Sequence, residues 1–176
     1  VKDLKYGGIL FDYYQQDYFQ ALVGYEYAKA TNELEHNAEE ARLLQGGMTL
    51  SYGLPDEAQR IFKELLDEKV PQESRNKAWF YLAKLYYQKG EVFNAAKNLS
   101  RIQGSVPKDV AEEFNYLATL INIKNQHFDA AVSALKFVGK NSVYDPYLVF
   151  NLAISQLNSV QEESWLLYTY DAADGS

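Results

Sequence analysis

At 176 residues and 47% apolar, the chain can bury a continuous core as one domain or one short stack of repeats. Its net charge is −7, from 24 acidic and 17 basic residues, and no Lys/Arg-rich run occurs, which argues against nucleic acid as a partner. Zero cysteines exclude disulfides and thiol chemistry, and no apolar run reaches the ~18–20 residues of a membrane helix, so no membrane insertion is expected.

Residues 3–16 form the first predicted helix, with Leu4, Tyr6, Ile9, Leu10, Tyr13 and Tyr14 on its apolar side. Tyr18, Phe19, Ala21, Leu22, Tyr25 and Ala28 give the second. A polar connection at 31–37 ends on Asn37, a suitable cap for the next helix. That helix, 38–52, buries Ala41, Leu44, Met48 and Leu50 by pattern. It carries Gly46 and Gly47 in its interior, at about 1 kcal/mol each relative to alanine. Close helix packing and room for a ligand backbone are both open readings of that pair. Gly53 marks a turn, and Ile61, Phe62, Leu65 and Leu66 face the core of the helix after it; Pro71 closes the unit.

The next stretch, 76–109, is the clearest. Trp79, Leu82, Ala83 and Tyr86 share a helical face. Gly90 suits a left-handed helix terminus. Phe93, Ala95, Ala96, Leu99 and Ile102 are assigned to the apolar side of a second helix that Pro107 ends. Shifted by 35 positions, Trp79 falls on Phe114, Leu82 on Leu117, Ala83 on Ala118, Gly90 on Asn125, Ala95 on Ala130 and Ile102 on Phe137. A second shift takes Leu117 to Leu152. Backwards, Gly53 to Gly90 and Ala58 to Ala95 are spaced by 37. The tract YYQQDYFQAL repeats the central turn with one residue missing. Asp145 and Pro146 begin a further helix with Leu148, Val149, Leu152, Ala153 and Leu157. Residues 162–170 are predicted as a separate last helix and 171–176 as a tail.

A fixed period in this range marks stacked helix pairs and an all-α solenoid. The pairs are placed at about 3–31, 36–69, 73–104 and 109–140, with last helices at 145–170, in one domain over 1–170. The unit resembles the tetratricopeptide repeat in Trp79, Leu82, Ala83, Tyr86, Gly90, Ala95, Leu99 and Pro107. That resemblance implies a right-handed superhelix whose first helices line a concave, partner-binding face. It would place Lys77, Phe80, Tyr81, Lys84, Tyr87 and Gln88 on that face, then Glu112, Asn115, Tyr116, Thr119 and Asn122, then Phe150, Asn151 and Ile154. Lys77, Lys84 and Asn115 supply only part of the set with which some members grip a C-terminal carboxylate. An extended or helical peptide is the better-matched partner. The 15 tyrosines are open to two readings, a thicker core or a binding surface.

No catalytic constellation emerges. His36 lies in a polar connection and His127 at a turn, without metal-site spacing. Glu39–Glu40 and Glu112–Glu113 sit near helix starts, where negative charge suits the dipole. No catalytic residue, metal or cofactor is therefore expected. The leading expectation is a non-catalytic scaffold of bacterial type that binds a protein or peptide. A self-associating solenoid, and so a homo-oligomer, is second, and a helical enzyme third. The chain begins at Val1 rather than Met, read as trimming of an export signal; a periplasmic or cell-envelope setting is favoured over the cytoplasm on that ground.

Overall fold

The computed structural model describes residues 4–139, 142 and 145–174, with side chains of the last helix described over 146–160. The described residues are all-α, without a strand. The chain divides into two compact units, Val1–Pro107 and Lys108–Ser176.

The first unit holds α1 (Leu4–Tyr14), α2 (Tyr18–Ala30), α3 (Ala38–Ser51), α4 (Pro55–Asp67), α5 (Gln72–Gln88) and α6 (Val92–Leu99). They pack most extensively as the hairpins α1–α2, α3–α4 and α5–α6. Between hairpins, α2 lies on α3, α4 lies on α5, and α3 also touches α5. The second unit holds α7 (Ala111–Lys124), α8 (Phe128–Leu135) and α9 (Asp145–Asp174), each packed on the other two. Ile9, Ala21, Tyr25, Ala28, Leu34, Ala41 and Met48 join α1, α2 and α3. Leu43, Phe62, Leu65, Leu82 and Leu85 join α3, α4 and α5. In the second unit Ile123, Ala131 and Leu152 meet.

The four hairpins share one turn. Two positions past the end of each first helix stands a residue with positive φ: Gln16 (62°), Gly53 (91°), Gly90 (78°) and Gln126 (59°). Its N–H donates to the carbonyl three residues back, and the next N–H to the carbonyl five back, as in Gly90 to Tyr87 (3.0 Å) and Glu91 to Tyr86 (2.9 Å). This paired bonding satisfies carbonyls that a helix terminus leaves orphaned. Five residues beyond each turn stands a fully buried alanine: Ala21, Ala58, Ala95 and Ala131. A residue that small lets the second helix approach the first closely.

These landmarks correct the last register. The left-handed residues stand at 16, 53, 90 and 126, so the spacing is 37, 37 and then 36, where the sequence pattern suggests 35. Asn125 has φ −90° and is the helix cap, while Gln126 takes the left-handed place. Ala131 rather than Ala130 is the buried alanine, and Val138 rather than Phe137 turns inward, leaving Phe137 73% exposed. Leu117 accordingly stands at the place of Tyr81 rather than that of Leu82. Phe93 also departs from its expected apolar side. It is 79% exposed, and Asn98 takes an inward place, its amide donating to the Asn94 carbonyl (2.7 Å).

Three smaller differences have local causes. Asn37 stands at the N-cap of α3, but its amide donates to the Glu40 carboxylate (2.8 Å) and makes no side-chain cap bond. Residues 162–170 are not a separate helix, because no Gly or Pro interrupts the sequence there and α9 runs on to Asp174. The expected tail is helical to 174; positions 175–176, the start at 3 and the pair boundary at 140 lie outside the described residues.

A left-handed glutamine costs about 1–2 kcal/mol, a strain glycine avoids. Part of the gain on substitution is cancelled by the freedom glycine adds to the unfolded chain. Gln126→Gly is expected to raise stability by about 0.5–1 kcal/mol, and Gly90→Gln to lower it by a similar amount. Urea unfolding of the two variants checks both signs; a stabilised Gly90→Gln chain would contradict the shared turn.

Candidate functional site

The α5 residues expected to meet a partner separate into three environments. Phe80 is fully buried and so is not on the surface expected of it. The reason is that α3, α4 and α6 all pack on α5, and a helix with three neighbours has a wider buried arc than a two-sided stripe. Tyr81 is half-buried and lies flat on Phe62 of α4, with centroids 5.1 Å apart and planes 8° apart. It also faces α3, 4.0 Å from where a Cβ on Gly47 would be. Lys84 and Tyr87 are half-buried, and Gln88 is exposed.

Lys77 belongs to a cleft of about 270 Å³ between the N-terminal ends of α3 and α5. It gathers His36, Asn37, Glu39, Glu40, Glu73 and Lys77, and Lys77 pairs with Glu73 at 3.7 Å. Burial raises the Glu39 carboxyl above its usual range, and the neighbouring Glu40 charge raises it further. Among the described residues no group of three or more His, Cys, Asp or Glu could hold a metal ion. The cleft has the character of an electrostatic seam between two first helices.

In the second unit, Asn115, Tyr116 and Asn122 are half-buried on α7, and Glu112 is exposed. Thr119 is fully buried: with the 36-residue spacing it occupies the place of Ala83, and its hydroxyl donates to the Asn115 carbonyl (2.8 Å). Burial raises the Tyr116 phenol, with Tyr147 and Glu113 adding to it. On α9, Phe150 and Ile154 are exposed and Asn151 half-buried. Phe150 and Ile154 form a stripe with Tyr147 and Leu157, at helical spacing. No described helix is long and apolar enough to cross a membrane.

Two features escape the sequence pattern. One is Asn76, an inward amide that ties the segment after α6 to the start of α5. The other is a groove of about 320 Å³ on a different side of α5, where Trp79 and Tyr86 lie between side chains of α4 and α6. Its members come from three helices and from Arg101 just past the last of them, so no local spacing announces them. No protein-family model, curated protein or solved structure matches the chain.

Proposed function

We propose that the protein is a non-catalytic scaffold that binds a protein or peptide along its first helices, in the manner of a tetratricopeptide-like solenoid. The observation that carries this reading is the repeated hairpin. Four pairs share one turn and one buried alanine, and in the first unit the contact of α3 with α5 brings successive first helices side by side. Such a row presents a continuous surface rather than a closed pocket. On α5 that surface offers Lys77, Lys84, Tyr87 and Gln88; in the second unit Asn115, Tyr116 and Asn122 lie on α7, and Phe150 and Asn151 on α9. Half-exposed tyrosine and amide side chains suit a peptide held by ring contact and hydrogen bonds. Phe80 and Thr119 take no part, since both are buried.

The test is capture of partners from the source organism's extract, identified by mass spectrometry. A Lys84→Glu, Tyr87→Ala, Gln88→Ala chain is expected to retain about a tenth or less of the partner captured by wild type, as losing several interface contacts at once implies. Tyr81 is left in place because it stacks on Phe62. Undiminished capture with unchanged circular dichroism would count against the surface. Self-association is the second reading, favoured by the exposed stripe Tyr147, Phe150, Ile154 and Leu157 on α9. Light scattering across concentration separates the two, and a monomer at every concentration removes the second.

A further inference from the structure

The groove beside Trp79 has a charge pattern that the preceding hairpin lacks. Lys63 and Asp67 come from α4, Trp79 and Tyr86 from α5, Lys97 from α6, and Arg101 from just beyond α6. The Arg101 guanidinium lies over the Trp79 ring, 4.5 Å from its centroid. Neither Lys63 nor Lys97 forms an ion pair with a described residue.

The 37-residue spacing allows a position-by-position comparison with the α3–α4 hairpin. Arg42 corresponds to Trp79, Glu57 to Asn94, Arg60 to Lys97 and Glu64 to Arg101. In the earlier hairpin the charges close on one another. Arg60 is held by Glu57 and by Glu64 (2.6 Å), and Arg42 by Glu64 (3.2 Å) and Glu68. In the later hairpin all three acids are gone, replaced by the amide of Asn94, the cation of Arg101 and, at the place of Glu68, by Ser105; of the two basic places Lys97 keeps one and Trp79 takes the other. Three cations now face one carboxylate, Asp67, in a chain whose net charge is −7.

We propose that this groove docks an acidic peptide segment of a partner protein. Its Asp or Glu carboxylates would meet Lys63, Lys97 and Arg101, and an apolar or aromatic side chain would rest on Trp79 and Tyr86. The partly apolar floor and the small volume fit two or three side chains better than a phosphate chain. A long polyanion also feels the repulsion of the whole chain, whereas a short segment mainly senses charges within about 8–10 Å, a Debye length at physiological salt. This site is separate from the first-helix surface and stands or falls without it.

The probe is a rhodamine-labelled twelve-residue peptide of Glu alternating with Leu and Phe, followed by fluorescence anisotropy with the full chain. Its affinity is expected to fall about tenfold or more in three comparisons: with Gln in place of every Glu, with the Lys97→Glu, Arg101→Glu chain, and in about 0.5 M salt. Both substituted residues are exposed, so circular dichroism should not change. Arg60→Glu, at the closed network, should leave affinity within about twofold, because that cation is already paired. The proposal is overturned by no binding of the acidic peptide, by equal binding of the Gln peptide, or by unchanged affinity in the doubly substituted chain. Tighter binding of a single-stranded oligonucleotide of equal charge would overturn it as well.

Discussion

Gly46→Ala should destabilise the protein strongly, while the same change one residue later should not. A Cβ at Gly46 would lie 2.5 Å from Phe62 Cε1 and 2.6 Å from Cζ, well inside van der Waals contact. The ring has little room to give way. Phe62 is fully buried in the core that joins α3, α4 and α5, and Tyr81 covers it face to face. Overpacking of this kind costs about 1–3 kcal/mol or more, against a gain of about 1 kcal/mol from replacing a mid-helix glycine. With contacts this short the steric term wins, and a net loss of about 2 kcal/mol is expected. At Gly47 the nearest atom to a built Cβ is Tyr81 Cζ at 4.0 Å, an ordinary contact. Gly47→Ala should therefore be neutral or stabilising by up to about 1 kcal/mol. Denaturant midpoints at unchanged slope measure both effects. A Phe62→Leu change combined with Gly46→Ala should cost less than the two single changes added together, because they share one space. A Gly46→Ala chain as stable as wild type would mean that α3 and α4 do not approach this closely.

Gly46 also shows what kind of information the sequence carries. Spacing from the left-handed turns puts Ile9, Gly46, Ala83 and Thr119 at one repeated place, and all four are buried. In α3–α4 the first helix gives way to a ring on the second. In α1–α2 the isoleucine is on the first helix and Gly24 gives way on the second, with Ile9 Cγ1 3.4 Å from where a Cβ on Gly24 would be. A search for one small residue at one place finds Gly46 and Ala83 and passes over Ile9 and Thr119. Helix positions and turns were legible because glycine, proline and apolar spacing act within a few residues. The final register slipped by one because a glutamine, not a recognised turn residue, takes the left-handed place at 126. Phe80 and Tyr81 are adjacent rings, and periodicity does not decide which turns inward once three helices surround α5. The cationic groove stayed hidden for a related reason: Lys63, Trp79 and Lys97 converge only through packing.

Asn76 is where packing depends on a single polar side chain. It is 2% exposed, yet both ends of its amide are bonded. The nitrogen donates to the carbonyls of Gln103 (2.8 Å) and Ser105 (3.3 Å). The oxygen accepts from the Gln103 N–H (3.1 Å) and from the Gln72 amide (2.8 Å). One side chain thus satisfies backbone groups on a segment with no helix of its own, and fastens that segment to the start of α5. Asn76→Ala leaves those groups without their partner, at about 1–3 kcal/mol for each one that water does not reach. A total loss of about 2–4 kcal/mol is expected. Asn76→Asp should be worse at neutral pH despite its similar shape: a carboxylate would face the Gln103 and Ser105 carbonyls where an N–H₂ now donates, and would place an uncompensated charge in a buried site. Lowering the pH to protonate it should recover part of the loss. Hydrogen exchange distinguishes this account from a general weakening, since the Gln103 amide should lose protection before those in the centre of α5. The segment also follows Arg101, so its release should loosen the cation over Trp79 and weaken acidic-peptide binding. If exchange at Gln103 is unchanged in the Asn76→Ala chain, the anchoring role fails, whatever the change in overall stability.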